Sequence, residues 1–264
     1  MVSIDAHAHV FHRGLALADL RRYAPDYDAP VDQYLAQLNA AGISHGVLVQ
    51  PSFLGTENWY LLNCIRIARN RLRGIAVVDP SISSEDLQAM DRGGIAGIRL
   101  NLVGCPLPDL TESRWRTLLA AVADLGWQVE IQRRAADLPD LVTQLVEYDL
   151  TVVIDHFALP DPILGIADPA FAAVLKLGES GQVWVKLSAP YRNGPQGRAF
   201  ARQAYPLLRD AFGPDRLMWG SDWPHTQFEL TQDYTTNRNF LDELIPDANE
   251  RTRVLAAPYA LFRF

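Results

Sequence analysis

The chain has 264 residues, of which 48% are hydrophobic and 21% are charged, a composition typical of globular proteins that excludes a disordered or fibrous class. Its 24 Lys and Arg residues against 31 Asp and Glu residues give a formal net charge of −7, and no basic run is present. This balance argues against nucleic acid and against an anionic membrane surface, so a small-molecule partner is expected.

The two cysteines, Cys64 and Cys105, lie far apart and show neither CxxC nor zinc-like spacing. They therefore indicate no disulfide framework and no thiolate metal site, and a reduced, cytoplasmic setting is expected. The sequence enters an apolar strand at Val2 without a basic region, and no stretch reaches about 18 uninterrupted apolar residues. We therefore predict neither secretion nor membrane insertion.

Short apolar runs of strand length recur along the chain, and segments of helix length separate them. The predicted strands are 2–9, 45–52, 73–80, 95–101, 127–132, 150–156, 182–188 and 216–222. Their near-continuous Val, Ile and Leu content is typical of parallel strands that are covered on both faces. The alternation of strands with helical segments predicts consecutive βαβ units.

Apolar residues at spacings of three and four predict helices in the intervening segments. These helices are 31–41, 57–69, 111–124, 138–147 and 200–212. Thr111 is expected to cap the third of them, with Gly126 just beyond its end. A closing helix is expected at 250–262, interrupted or kinked at Pro258. The whole pattern favours a single (β/α)8 barrel domain over 1–264, with an open eight-stranded sheet as the alternative.

Polar residues stand at the ends of several predicted strands, where a barrel places its chemistry. His7 and His9 lie two positions apart, so both side chains point to one face, either as functional groups or as a hydrogen-bonded core pair. The sixth strand ends in Asp155 and His156, and periodicity leaves open which of the two faces inward. Asp222, at the end of the eighth strand, is a candidate catalytic carboxylate, or else a helix cap or an arginine partner.

Two cations interrupt apolar strands. A buried guanidinium needs an anion, so Arg99 is expected to bind either a substrate carboxylate or an aspartate at a neighbouring strand end. For Lys186, on the seventh strand, we expect an outward or snorkelling side chain.

Residues that follow the predicted strands are candidates for substrate binding. They are Tyr23 in the long first loop, Ser52 and Thr56 after the second strand, Tyr191 and Arg192 after the seventh, and His225 after the eighth. Long loops of this kind are often lids or binding loops.

Three motifs resemble the amidohydrolase superfamily, and within it the branch of 2-pyrone-4,6-dicarboxylate and sugar lactonases. They are D-A-H-A-H-V-F at 5–11, V-I-D-H-F at 153–157 and W-G-S-D-W-P-H at 219–225. Y-A-P at 23–25, V-Q-P-S-F-L-G-T at 49–56, R-G-I-A-V-V-D-P at 73–80 and G-I-R-L-N at 97–101 also fit. The resemblance implies a distorted (β/α)8 barrel in which His7, His9, His156 and Asp222 are the catalytic residues.

Many members of the superfamily hold two metals with a carboxylated lysine on the fourth strand and a histidine on the fifth. This chain has Arg99 and Gln132 there, so it lacks ligands for a binuclear site. The lactonase branch works without a metal, which implies that no cofactor is needed. The alternative is one zinc ion, whose ligands would be His7, His9, His156 and Asp222.

The resemblance implies hydrolysis of a small carboxylated lactone, with Asp222 activating water and the three histidines stabilising the oxyanion. Arg99 matches one carboxylate-binding arginine of the branch, but Leu159 stands where relatives often carry another. Tyr191 and Arg192 are candidates for a second anion contact. The alternatives are a metal-dependent decarboxylase or amide hydrolase, a non-catalytic binding barrel, and unrelated chemistry on the same fold.

Overall fold

Eight parallel strands follow one another around the sheet in chain order in the computed structural model, which describes residues 2–19 and 21–264. They are β1 (Ile4–Ala8), β2 (His45–Val49), β3 (Leu72–Ala76), β4 (Ile95–Asn101), β5 (Gln128–Gln132), β6 (Val152–Ile154), β7 (Val183–Ser188) and β8 (Leu217–Gly220). Each overlaps a predicted strand, so the predicted (β/α)8 barrel is confirmed. The predicted domain 1–264 includes Met1 and Leu20, which lie outside the described residues.

Helices connect the strands in the expected alternation. They are α1 (Val31–Ala40), α2 (Trp59–Ile67), α3 (Ser84–Gly93), α4 (Ser113–Asp124), α5 (Leu138–Val146), α6 (Pro169–Lys176), α7 (Gly197–Phe212), α8 (Tyr234–Leu244), α9 (Ala248–Ala256) and α10 (Pro258–Leu261). Sequence periodicity missed α3, α6 and α8. The reason is clearest for α3, which buries only Leu87, and for α6, which buries only Phe171 and Val174. So few apolar positions give a weak helical signal.

The ends of two helices test the expected start and stop signals. The predicted cap at Thr111 is wrong, because Glu112 occupies the N-cap position of α4. The Thr111 hydroxyl instead donates to Asp109 Oδ1 at 2.6 Å. The closing segment is interrupted at Pro258 as expected, where α9 has ended and α10 begins.

The seam between β1 and β8 closes the barrel. The backbone N–H of Asp222 donates to the carbonyl of His7 at 2.8 Å. Asp5 fixes the same seam with its side chain, which accepts hydrogen bonds from Ser221 N at 2.8 Å and from Ser221 Oγ at 2.7 Å. Closure of this seam excludes the open sheet and brings the first and last strands of the chain side by side.

The core has two parts. The larger part lies between the strands and the helices, and the smaller one comes from alternate strand positions and includes Ile4, Val47, Val153 and Met218, packed with Phe262. Apolar residues thus fill one part of the interior and leave the carboxyl ends of the strands to polar side chains. Within the described residues, no helix combines the length and apolar character that a membrane span requires.

Replacing Asp5 with alanine should lower the free energy of unfolding by about 2–4 kcal/mol, because Ser221 then keeps buried donors without their acceptor. Urea denaturation of Asp5→Ala beside Asp5→Asn measures the loss, and the asparagine variant, which keeps one acceptor, should lose less. A loss below about 1 kcal/mol in Asp5→Ala would mean that the backbone pairing alone closes the seam.

Candidate active site

A cavity of about 520 Å³, counted to its open mouth, lies at the carboxyl ends of the strands. The predicted site residues that line it are His9, Tyr23, Ser52, Arg99, His156, Arg192 and Asp222. His7 lies fully buried next to them, with its ring 4.9 Å from that of His9 and 4.8 Å from that of His156 between centroids. The structure therefore brings the three histidines and Asp222 together.

Asp222 presents its two carboxylate oxygens to different partners. Oδ2 accepts hydrogen bonds from Tyr191 Oη and from Arg192 Nε, each at 2.7 Å. Oδ1 has no hydrogen-bond partner among the described residues and lies 3.6 Å from both His7 Nε2 and His9 Nε2. One oxygen is thus anchored, and the other is available to a reacting group.

The charge state of Asp222 follows from its neighbours. Burial alone would raise its pKa, but the positive charge of the Arg192 guanidinium leads the opposing effects, which hold the pKa well below its usual range. The carboxylate is therefore ionised at neutral pH. The backbone of Asp222 is in the left-handed region, with φ 59°, a costly conformation for a non-glycine residue that is often found at functional sites.

The histidines differ in what their Nδ1 atoms contact. His9 Nδ1 lies 2.8 Å from the carbonyl of Val49, which can only accept, so this nitrogen carries the hydrogen. In its neutral form His9 therefore turns an Nε2 lone pair towards Asp222. His156 Nδ1 lies 2.8 Å from Ser188 Oγ. Burial lowers the pKa of His156 to about 3 and the pKa of His7 well below its usual range, so both rings are neutral.

Lys186 is buried, and the expectation of an outward or snorkelling side chain is wrong. Its Nζ lies 2.6 Å from Glu130 Oε2, 2.9 Å from His7 Nδ1 and 3.3 Å from Asp155 Oδ1, and its side chain has no exposed surface. Burial raises the pKa of Glu130 to about 7, although Lys186 acts in the opposite direction. The lysine can lie inside the barrel because Glu130 of β5, two strands away, supplies its counter-ion.

Asp155 and His156 both reach the interior, although strand alternation predicts only one. The strand ends at Ile154 and His156 takes φ 52°, so alternation no longer holds at this point. Asp155 Oδ2 accepts from Arg99 Nε at 3.0 Å and from Arg99 Nη2 at 2.8 Å. Arg99 thus forms an internal ion pair, which is one of the two roles that its sequence position allowed. It also lines the cavity.

Three predicted substrate-binding residues do not line the cavity. Thr56 is exposed outside it. Tyr191 and His225 lie behind Asp222, where His225 Nδ1 is 3.1 Å from Tyr191 Oη. Because the Tyr191 hydroxyl donates its hydrogen to Asp222, His225 donates to the tyrosine oxygen. Both residues are therefore placed to orient Asp222.

Sequence reasoning missed Arg22 and its partner Asn101. Both line the cavity, and Arg22 Nη2 donates to Asn101 Oδ1 at 3.2 Å. The only signal was the position of Arg22 beside Tyr23 in the long first loop. A loop has no periodicity, so the sequence does not tell which of Arg21 and Arg22 faces the cavity.

Glu229 was also missed, and it joins two loops at the mouth. Its Oε1 accepts hydrogen bonds from Tyr23 Oη at 2.9 Å, Tyr27 Oη at 2.6 Å and Gln227 N at 2.9 Å. The loop after β1 is thereby fastened to the loop after β8. The first loop thus contributes to the wall of the cavity, as its length suggested.

Within residues 2–19 and 21–264, two groups of buried side chains have donor atoms close enough to share a metal ion. Their members are His7, His9 and Asp222 in one group, and His7, Asp155 and His156 in the other. His7 belongs to both groups. A ring nitrogen that carries a hydrogen cannot bind a metal ion, so the tautomer of His7 decides in which group it could be a ligand.

The sequence and the fold match known proteins over most of their length. The amidohydrolase family profile matches residues 4–264. The 2-pyrone-4,6-dicarboxylate hydrolase of Comamonas testosteroni is 33% identical over 256 residues, which cover 92% of this chain and 83% of that protein.

Two solved structures of candidate 2-pyrone-4,6-dicarboxylic acid hydrolases are similar as well. The one from Pseudomonas putida is 48% identical, with a TM-score of 0.93 and coverage of 99% of this chain and 97% of its own. The one from Acinetobacter baumannii, which holds citric acid, is 41% identical, with a TM-score of 0.96 and complete coverage of both chains. The resemblance read from the motifs is confirmed, and the chain belongs to the amidohydrolase family.

Proposed function

We propose that this chain hydrolyses a small lactone that carries carboxylate groups, with Asp222 activating the attacking water and without a metal ion. The observation that carries the proposal is the free oxygen of an ionised, buried Asp222 in a cavity that is also lined by guanidinium groups. The names of the relatives and the citric acid in one of them support a carboxylated substrate.

Three guanidinium groups determine the class of substrate. Arg99 is paired with Asp155 and Arg192 with Asp222, whereas Arg22 contacts the neutral amide of Asn101. Arg22 therefore supplies positive charge for a carboxylate of the substrate. Arg99 and Arg192 present their remaining N–H groups to a second carboxylate, and the Ser52 hydroxyl and Tyr23 border the same space.

The reaction follows from the free atoms around Asp222. The water oxygen attacks the lactone carbonyl carbon while Asp222 Oδ1 takes one of its protons and the neutral His9 Nε2 accepts a hydrogen bond from the other. His7 and His156 donate hydrogen bonds to the carbonyl oxygen as it gains negative charge. The ring C–O bond then breaks, and Asp222 returns its proton to the leaving oxygen. His9 thus takes an accepting role here, because its Nδ1 hydrogen is committed to Val49.

A carboxylate with a depressed pKa is always ionised but is a weak base. A substrate carboxylate that binds Arg192 would share the guanidinium charge with Asp222. The proton affinity of Asp222 then rises, which makes it a stronger base. Binding of an anionic substrate and activation of water are therefore linked through Arg192.

The charges around the site do not fit a divalent metal ion. The cations and carboxylates paired there are Arg99, Lys186, Arg192, Glu130, Asp155 and Asp222. Their formal charges cancel, and Arg22 adds one further positive charge. His7, His9 and Asp222 have ligand chemistry, but a dication would enter a pocket that already has no excess of negative charge. The site is thus suited to an anion.

Asp222→Asn should lower kcat for hydrolysis of 2-pyrone-4,6-dicarboxylate by about 10³-fold, because the amide cannot take the proton from water. Citrate binding, measured by calorimetry, should stay as tight or become tighter, since Arg192 loses its counter-ion. The control is Asp210→Asn, which removes an exposed carboxylate on α7 and should leave kcat unchanged. Full activity in Asp222→Asn would end the proposal, and tight binding without turnover in the parent chain would favour a binding barrel.

Titration of Asp222, His7 and His156 should change the kcat/KM for the lactone by less than about threefold between pH 5 and pH 8. The pKa of His156 is about 3 and the pKa values of His7 and Asp222 are well below their ordinary values, so protonation of these groups begins only below that window. Initial rates in buffers of constant ionic strength provide the measurement. A limb near pH 7 would contradict this assignment and implicate Glu130, whose pKa is about 7.

Protein purified after expression with added zinc should contain far less than one metal ion per chain, and treatment with a chelator should leave the rate of lactone opening unchanged. Mass spectrometry of metals before and after chelation gives the stoichiometry. About one zinc per chain, with activity lost on chelation, would instead make His7, His9, His156 and Asp222 ligands. That result would favour a metal-dependent decarboxylase or amide hydrolase.

A further inference from the structure

Lys186 does not reach the cavity and has no part in the proposed reaction, yet its ammonium group contacts His7 directly. We propose that Lys186 is a positioning residue that fixes the tautomer of His7 and thereby prevents the His7–His9–Asp222 group from binding a divalent metal ion. The inference rests on the metal-free part of the proposed function.

The distance between two nitrogen atoms determines the tautomer. Lys186 Nζ lies 2.9 Å from His7 Nδ1. An ammonium group has only hydrogens to offer, so the imidazole nitrogen at this distance must supply a lone pair. In the neutral His7 ring the hydrogen then lies on Nε2, the atom that is 3.6 Å from Asp222 Oδ1. His7 therefore presents an N–H group to the site.

A metal ion would need the opposite tautomer of His7. Histidines that bind a metal through Nε2 usually donate the Nδ1 hydrogen to a carbonyl or carboxylate oxygen. His9 has this arrangement, with Nδ1 2.8 Å from the carbonyl of Val49. Asp155 Oδ1 could serve His7 in the same way from 3.5 Å, but Lys186 already occupies that nitrogen. Two histidines of one motif thus have opposite hydrogen positions.

Glu130 keeps the ammonium group in place. It accepts from Lys186 Nζ at 2.6 Å, and both side chains are completely buried. Removing the lysine alone leaves a buried carboxylate without its partner, which is strongly destabilising, whereas removing both charges together is often tolerated. The appropriate test is therefore the double variant Glu130→Gln/Lys186→Met. Lys176→Met is the matched control, because Lys176 is exposed and is the other lysine of the sequence.

The first measurement needs no change at position 186. Long-range ¹H–¹⁵N correlation spectra of the protein with ¹⁵N-labelled histidine report which ring nitrogen carries the hydrogen, and the spectrum of His7→Asn assigns the His7 signals. The expected result is hydrogen on Nε2 of His7 and on Nδ1 of His9. Hydrogen on Nδ1 of His7 would overturn the inference.

The second measurement is calorimetric titration of the folded, chelator-treated proteins with zinc. The double variant should bind zinc at least 10-fold more tightly than the parent chain and than Lys176→Met, and adding Asp222→Asn to the double variant should abolish that gain. Equal zinc affinity in the double variant and the parent would overturn the inference.

Neither measurement uses lactone turnover, so the two proposals can fail separately. A chain that opens no lactone but carries the Nε2 hydrogen on His7 and gains zinc affinity in the double variant would support the role of Lys186 and refute the hydrolase. A metal-free lactonase with the Nδ1 hydrogen on His7 would do the reverse.

Discussion

Asp155 connects the two cations inside the barrel, since Arg99 donates to its Oδ2 and Lys186 lies 3.3 Å from its Oδ1. Burial alone would raise the pKa of this carboxyl, but Lys186 and Arg99 hold it well below its usual range. Without Asp155, two positive charges would lie in a low-dielectric interior with only part of their compensation. The orientation of Arg99 towards the cavity depends on this carboxylate, and Asp155 and Glu130 together hold Lys186 towards His7.

A second carboxylate, Asp222, lies on the opposite side of the His7 ring, and a cation holds it as well. Arg192 and Tyr191 hold one of its oxygens, so the other cannot rotate away from the reacting groups. The site thus consists of fixed charges whose geometry is set before a substrate binds, which is the arrangement that makes electrostatic stabilisation effective. Few side chains would need to reorganise during the reaction.

The sequence predicted the barrel well because eight apolar runs, separated by segments long enough for helices, reflect burial on both faces of the strands. It also predicted several strand ends whose polar side chains line the cavity, since a polar residue stands out against an apolar run. It could not predict the partner of Lys186, because Glu130 is 56 positions away and the pair forms only when their strands come together in the closed barrel. For the same reason the sequence left the internal partner of Arg99 undecided. Arg22 was missed because it lies in a loop, where no hydrophobic periodicity shows which side chains face the cavity.

Pairing of β1 with β8 also brings Asp222 next to the histidines and so completes the site. His7 lies in β1 and His9 directly follows it, whereas Asp222 follows β8. A chain that ends before β8 contains all three histidines, Arg99 and Lys186, but it lacks both the carboxylate and the partner that Asp5 binds. Under the proposed mechanism, a chain truncated before β8 would therefore be inactive, because Asp222 joins the histidines only when the final strand docks.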